Sequence, residues 1–202
     1  MGSAPVILRA LRGKDRREWE ALRAENIEWL LPWEATSPEP ASTRVAFRHL
    51  VRQFDREAAA GRLLPFVIEM EGRLVGQMHL FGIAWGSLRS ASAGYWVAKS
   101  VAGQGVMPLA LAAACDHAFG GLGLHRVEVN IRPENTASLR VVEKLGFREE
   151  GVRLRYLHID GEWRDHRSFA LTSEDLGQSS LVELWNQSQP QSPERHTEAR
   201  PQ

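Results

Sequence analysis

The chain has 202 residues, enough for one domain with a core of its own, and its 25 Lys and Arg are balanced by 25 Asp and Glu. A formal charge of zero excludes the broad basic surface of a general nucleic-acid binder. A single cysteine, no Cys/His metal spacing, no run of 18 apolar residues and no leader-like start exclude a disulfide framework, a metal centre, a membrane span and secretion, and imply a cytoplasmic protein.

Val6 to Leu11 reads as a first strand. Lys14 to Leu30 reads as one or two helical pieces, with Trp19, Leu22, Ile27 and Leu30 at near-helical spacing and Pro32 ending the run. After a loop over 37–42, Ser42 or Thr43 is expected to cap a helix that reaches Ala60 and stops at Gly61. Leu63 to Met70 and Arg73 to Ile83 bracket Glu71-Gly72 as a hairpin, and Ser90 to Val97 supplies the next strand. A helix follows from about Val106 to Phe119, broken at Gly120-Gly121.

In His125 to Ile131 the residues Val127, Val129 and Ile131 share one face of a strand and Arg126, Glu128 and Asn130 the other. Asn135 to Leu145 is a helix closed by Gly146. Strands at 153–159 and 163–171 flank the turn Asp160-Gly161. The expected organisation is one domain over 1–185 and a flexible tail over 186–202, which is Gln/Ser/Pro-rich with little to bury. Strands before, between and after helices make the fold class α+β.

Chemistry concentrates where Tyr95-Trp96-Val97 gives way to Ala102-Gly103-Gln104-Gly105-Val106-Met107 and then Pro108 in a first helical turn. A strand, a two-glycine corner and a helix start leave several backbone N–H groups unpaired, with no Cβ to block an approaching anion. A dinucleotide fingerprint would need a third glycine where Pro108 stands, and a Walker loop would need Gly-Lys-Ser/Thr; neither is present. A plain tight corner remains the bland alternative. The later segment from Arg132 to Phe147, with Asn135, a short helix and Leu145-Gly146-Phe147, raises the odds of a site.

Together these segments resemble the acetyl-CoA-binding signatures of the GNAT superfamily of N-acetyltransferases. The stretches Tyr156 to His166 and Ala24 to Glu34 are similar to its RimJ/RimL branch of ribosomal-protein N-terminal acetyltransferases, RimJ being the nearer. The resemblance covers roughly 6–175. It implies a central mixed, mostly antiparallel sheet flanked by helices, with acetyl-CoA in a cleft between two splayed strands. It places the cofactor on Trp96, Val97, the corner from Ala102 to Met107, Asn135, Ser138 and Lys144, with Arg140 a further candidate for the nucleotide phosphate. Ala102 and Met107 depart from the superfamily's Arg/Gln and Gly/Ala, and Val142 stands where the superfamily usually has a tyrosine acid. Ser138 is then the expected proton donor to the departing thiolate. Asn135 and Ser138 also suit simple helix capping.

An α-amine with a pKa near 7.7–8.0 is already partly neutral at pH 7, whereas a lysine near 10.4 requires about 3 to 4 kcal/mol more, so an α-amine needs only a weak base. Glu34, beside the apolar run from Trp29 to Trp33, ranks first as that base. Asn130 can position a water but accepts no proton at neutral pH, and Tyr156 can line the amine's approach. Trp33, Glu34, Tyr95 and Tyr156 are the expected acceptor contacts, and a backbone N–H at Val97 or its neighbour would meet the oxyanion. Cys115, in an Ala-rich helix, is a poor acyl carrier, which favours direct attack in a ternary complex.

The expected acceptor is a protein N-terminus, by resemblance that of a ribosomal protein, with no nucleic acid, membrane or metal involved and a monomer or homodimer as the working unit. The rivals are a GNAT enzyme for a small amine such as an amino acid, polyamine or drug, and a non-catalytic CoA-binding, ribosome-associated module.

Overall fold

The computed structural model describes residues 5–39 and 45–189. All seven strands lie in one sheet of order β1-β2-β3-β4-β5-β7-β6: β1 (Val6–Ala10), β2 (Leu63–Met70), β3 (Arg73–Ala84), β4 (Ser90–Val97), β5 (Arg126–Ile131), β6 (Arg148–Ile159) and β7 (Glu162–Thr172). Every neighbouring pair is antiparallel except β4 and β5. This is the α+β class read from the sequence and the mixed, mostly antiparallel sheet that the family resemblance implies.

The exception positions the site. β4 and β5 pair only through Ser90, Ala91 and Ser92 against Arg126, Val127 and Glu128. Beyond Ser92 the two strands part, and β4 continues through Tyr95, Trp96 and Val97 without a neighbour on that side.

The helices are α1 (Arg16–Glu25), α2 (Ile27–Leu30), α3 (Phe47–Ala59), α4 (Val106–Asp116), α5 (Thr136–Lys144), α6 (Ser173–Leu176) and α7 (Leu181–Ser188). The periodic run from Lys14 to Leu30 breaks at Asn26, whose side chain is buried and doubly used. Its Oδ1 accepts the Lys99 N–H at 2.8 Å and its Nδ2 donates to the Leu22 carbonyl at 2.8 Å. That asparagine ties the α1–α2 joint to the end of β4.

α4 is almost wholly buried, because its alanines let it lie close on the sheet. Ala110, Leu111, Ala112, Ala114 and Cys115 have no exposed surface and join Met78, Leu80, Val127 and Val142 in the main core.

Four boundaries differ from expectation, the first being β6, which begins at Arg148 and not near 153. Ser42 and Thr43 lie outside the described residues, and α3 begins at Phe47 with Ala46 before it, so no side chain caps it. The helix of α4 ends at Asp116 and a single wider turn carries the chain to Gly121. α7 runs to Ser188, past the expected end of the domain at 185. The expected tail had too little to bury, but Trp185 is 7% exposed, and both Ser180 and Asp116 satisfy the N-terminal amides of α7. The rest of the expected tail, from 190, lies outside the described residues.

Candidate active site

The corner between β4 and α4 is built as an anion cradle. Gly103 and Gly105 take φ of 80° and 81°, in the left-handed region that only glycine enters freely. Among the described residues, the N–H groups of Gly103, Gly105, Val106 and Met107 find no main-chain acceptor, and Pro108 has none to satisfy. Four free donors at one helix start fit a pyrophosphate. The groove above them has a volume of about 500 Å³ and is lined further by Ala102, Met107, Asn135, Arg140 and Lys144.

Gln104 and Val106 serve this corner through backbone alone. The Gln104 side chain turns back to the Ser100 carbonyl at 2.9 Å, and Val106 is buried in the core.

The ladder geometry aims the end of β4 into the gap. Ala98 donates to the Val75 carbonyl at 2.8 Å, so Val97 and Gly76 form a non-hydrogen-bonded pair. The alternation of an antiparallel ladder then turns the N–H and C=O of Val97, and of Tyr95, away from β3 toward β5. The Val97 carbonyl is taken there by Trp29 Nε1 at 3.1 Å. Its N–H stays free among the described residues, as an oxyanion donor requires.

On the other side of the gap a cavity of about 390 Å³ opens, lined by Glu34, Gln77, His79, Asn130, Tyr156 and His166 among others. Groove and cavity share Trp33, Tyr95, Trp96, Asn135 and Ser138, and so meet at the mouth of the parted strands. The cavity wall comes from two irregular pieces. Between Arg153 and Leu157, β6 carries two residues more than β7 opposite it, with Arg155 at φ 49° and its N–H held by Asp165 Oδ1 at 2.7 Å. Such a bulge re-aims the side chains that follow, here Tyr156 and Leu157. The loop after α2 closes from across, through a bridge of Ala35 with Ile159, Thr36 N–H on the His158 carbonyl at 2.9 Å, and Arg132 donating to the Pro32 carbonyl at 2.6 Å. Arg132 also lies over the Trp33 ring, 5.4 Å from its centroid.

Each expected site residue has a definite place. Asn135 caps α5, its Oδ1 accepting the Ser138 N–H at 3.0 Å, while both residues also line groove and cavity. The residues that cap the helix therefore also line both hollows. The Tyr95 hydroxyl is buried without a hydrogen-bond partner. Burial pushes its pKa well up, and the neighbouring Ser138 acts weakly in the opposite direction. Asn130 Oδ1 accepts the Ser168 hydroxyl at 2.7 Å, and its Nδ2 hydrogens bond nothing among the described residues. Glu34 reaches the cavity already paired, both carboxylate oxygens 2.6 Å from Arg23 Nη2, and Arg23 in turn lies over Trp96. Lys144 lies along the groove with its ammonium 5.9 Å from the Trp185 ring centre. Cys115 is fully buried and its thiol pKa is raised by that burial and by Asp116, which denies it a nucleophile's setting. Val142, where the superfamily tyrosine would stand, is sealed in the core.

Other cavity residues carried no sequence signal. Gln77 Oε1 accepts Trp96 Nε1 at 3.1 Å, and His79, packed edge-on against Phe54, has its Nε2 buried without a partner. His166 is 3% exposed on β7. A buried histidine two positions before a buried serine on one strand face is the pattern that could have marked it.

A family profile described as an acetyltransferase (GNAT) domain matches residues 6–148. The structure of Mycobacterium smegmatis RimJ in complex with CoA-disulfide superposes with a TM-score of 0.85 at 42% identity, covering 92% of this chain and 91% of that one. The ribosomal protein uS5-alanine N-acetyltransferase of Escherichia coli (strain K12) is 30% identical over 173 residues, which are 84% of this chain and 89% of the relative. A Bacillus subtilis (strain 168) protein named "Probable N-acetyltransferase YjcK" is 31% identical over 172 residues, 84% of this chain and 95% of its own. The fold is that of a GNAT acetyltransferase. The chain belongs to the GNAT acetyltransferase family, and acetyl-CoA is its acyl donor. Among the described residues no group of His, Cys, Asp or Glu could hold a metal, and no helix is long and apolar enough to cross a membrane.

Proposed function

We propose that this enzyme acetylates the N-terminal α-amine of a protein, a ribosomal protein on the strength of its relatives, by direct attack with donor and acceptor bound together. One observation carries the reading: the cofactor groove and a separate, wide cavity meet where they share Trp33, Tyr95, Trp96, Asn135 and Ser138, so two substrates can enter by different hollows and meet there. The burial of Cys115 supports the direct route.

Acetyl-CoA supplies a thioester whose carbonyl carbon takes the amine. The free amides of Gly103, Gly105, Val106 and Met107 hold the pyrophosphate, with Ala102 and Gln104 shaping the turn, and Lys144 with Arg140 faces the nucleotide phosphate. Trp96 and Asn135 flank the pantetheine path. The Val97 N–H receives the charge that develops on the acyl oxygen, and Ser138 Oγ holds a proton for the sulfur. Trp33, Tyr95 and Tyr156 wall the acceptor, and Asn130 offers its amide hydrogens to water or to the peptide. Glu34, bonded to Arg23 through both oxygens, stands in the cavity wall where it can face the acceptor's ammonium.

Thiol release with peptides that vary at residues one to three, an N-acetylated control carrying an internal lysine, and polyamines tests the reading. Transfer to free peptide N-termini but not to the blocked control is expected. Transfer to polyamines alone would overturn it in favour of a small-amine enzyme.

A further inference from the structure

We propose that His166 is the catalytic base, accepting at Nε2 a proton from the acceptor's α-ammonium in the cavity beside Ser138. The inference rests on the acetyl-transfer reading and deepens it by assigning the one proton-accepting role that reading leaves without a free group.

The tautomer follows from the partner. His166 Nδ1 lies 3.1 Å from the Arg164 carbonyl oxygen, and a carbonyl can only accept, so Nδ1 carries the hydrogen and Nε2 the lone pair. Nε2 makes no hydrogen bond among the described residues, and the ring is one of the walls of the cavity. Tyr156 holds the imidazole edge-on, with ring centres 5.5 Å apart. Of the other candidates, Glu34 is engaged by Arg23 and Asn130 by Ser168, and His79, whose Nε2 in the same cavity wall has no partner, is driven by burial to a pKa of about 4, which makes it a weak base.

Burial keeps the imidazole neutral by lowering its pKa below the ordinary 6.5. The charged groups around it divide. Arg132 acts to lower the pKa further, while Glu134 and Asp165 act to raise it. Arg153 of β6 stands opposite in register with its guanidinium over Tyr156 and bonded to Glu128, and Glu34 lines the far side of the same cavity.

The proton balance closes without a further reactant. The ammonium carries two hydrogens that the product amide lacks. One passes to His166 Nε2 and on to water. The nitrogen lone pair so freed forms the N–C bond as the C–S bond breaks. The second hydrogen ends on the departing sulfur through the Ser138 hydroxyl, which gives one proton and regains one.

The test compares wild type with His166→Gln across pH 5.5 to 9, using a peptide acceptor and, in parallel, a polyamine. With the base present, kcat/KM stays level down to the imidazole's pKa. Without it, kcat/KM follows the neutral-amine fraction and falls about tenfold per pH unit below the amine's pKa near 8. The expected loss is therefore about 30-fold at pH 6.5 and closes toward pH 9, with CoA affinity by calorimetry unchanged and added imidazole restoring activity to His166→Ala. A parallel profile for wild type and variant, with either acceptor, overturns the base. Polyamine-only transfer with a lost acidic arm would retain His166 and overturn only the protein acceptor, and no transfer to any amine overturns both. If both variants misfold, nitrogen NMR of the wild type without CoA decides. A hydrogen on Nδ1 and a titration below 6.5 are expected, and an Nε2–H tautomer or a cation at neutral pH would contradict the assignment.

Discussion

Ser138 shows how much one position is asked to do. Its N–H closes the cap of α5 on Asn135, and its hydroxyl, without a partner among the described residues, lies between Tyr95 and the two hollows. Ser138→Ala keeps the cap, because the N–H remains, and removes only the hydroxyl. Turnover is expected to fall by about 100-fold with CoA affinity changed by less than about threefold; single-turnover kinetics beside a calorimetric titration separates the two, and unchanged turnover would remove Ser138 from the proton path. At this scale the sequence was informative where backbone dictates the residue. Glycines at positive φ, an asparagine at a helix start and alternation along β5 are all short-range signals. It was silent on Glu34 meeting Arg23 and on His166 facing Asn130's strand, since those meetings depend on a sheet order that no local pattern encodes.

Among elements, α7 is the one that composition concealed. It docks on α4, takes two of its N-terminal amides' acceptors from Asp116, and slides Trp185 beneath the cradle, where a Cβ on Gly105 would lie 3.5 Å from the indole. Lys144 rests over the same ring. Trp185→Ala should lower stability by about 3 to 5 kcal/mol through the cavity it leaves, and weaken CoA binding as well, because the cradle loses its support. Chemical unfolding and a CoA titration on the same variant check this; unaltered CoA affinity would make α7 a plain strut. The α1–α2 break and the β6 bulge were equally hidden. Asn26 sits inside a helical period, and its reason for breaking the helix is the amide of Lys99, 73 residues away. The extra residues of β6 register only against β7.

For the molecule as a whole, a sheet that opens at β4–β5 trades strand pairing for a cleft that must hold neutral imidazoles. His79 is driven by burial from 6.5 to about 4. The unfolded chain protonates below 6.5 while the fold resists until about 4, so the unfolded state binds more protons in that window and stability falls as pH falls through it. His166 acts with the same sign. Between pH 7 and 5 the loss from His79 is about 2 kcal/mol, and His79→Phe should flatten the pH dependence of the denaturant midpoint there. A wild-type midpoint level over that range would contradict the sealed, neutral histidine. The fold class followed from the succession of strands and helices, and the parted strands from the family resemblance that the two-glycine corner and the Asn135 helix carry, whereas the strand order had no local signal.

A crystal structure with a bisubstrate analogue, CoA joined through an acetyl bridge to a peptide N-terminus, tests the central claim in one measurement. The account predicts pyrophosphate oxygens on the amides of Gly103, Gly105, Val106 and Met107, the bridge oxygen on the Val97 N–H, and the first peptide residue in the cavity between Glu34, Tyr156 and His166. Pyrophosphate bound away from that corner, or a peptide leaving by another side of the sheet, would contradict it.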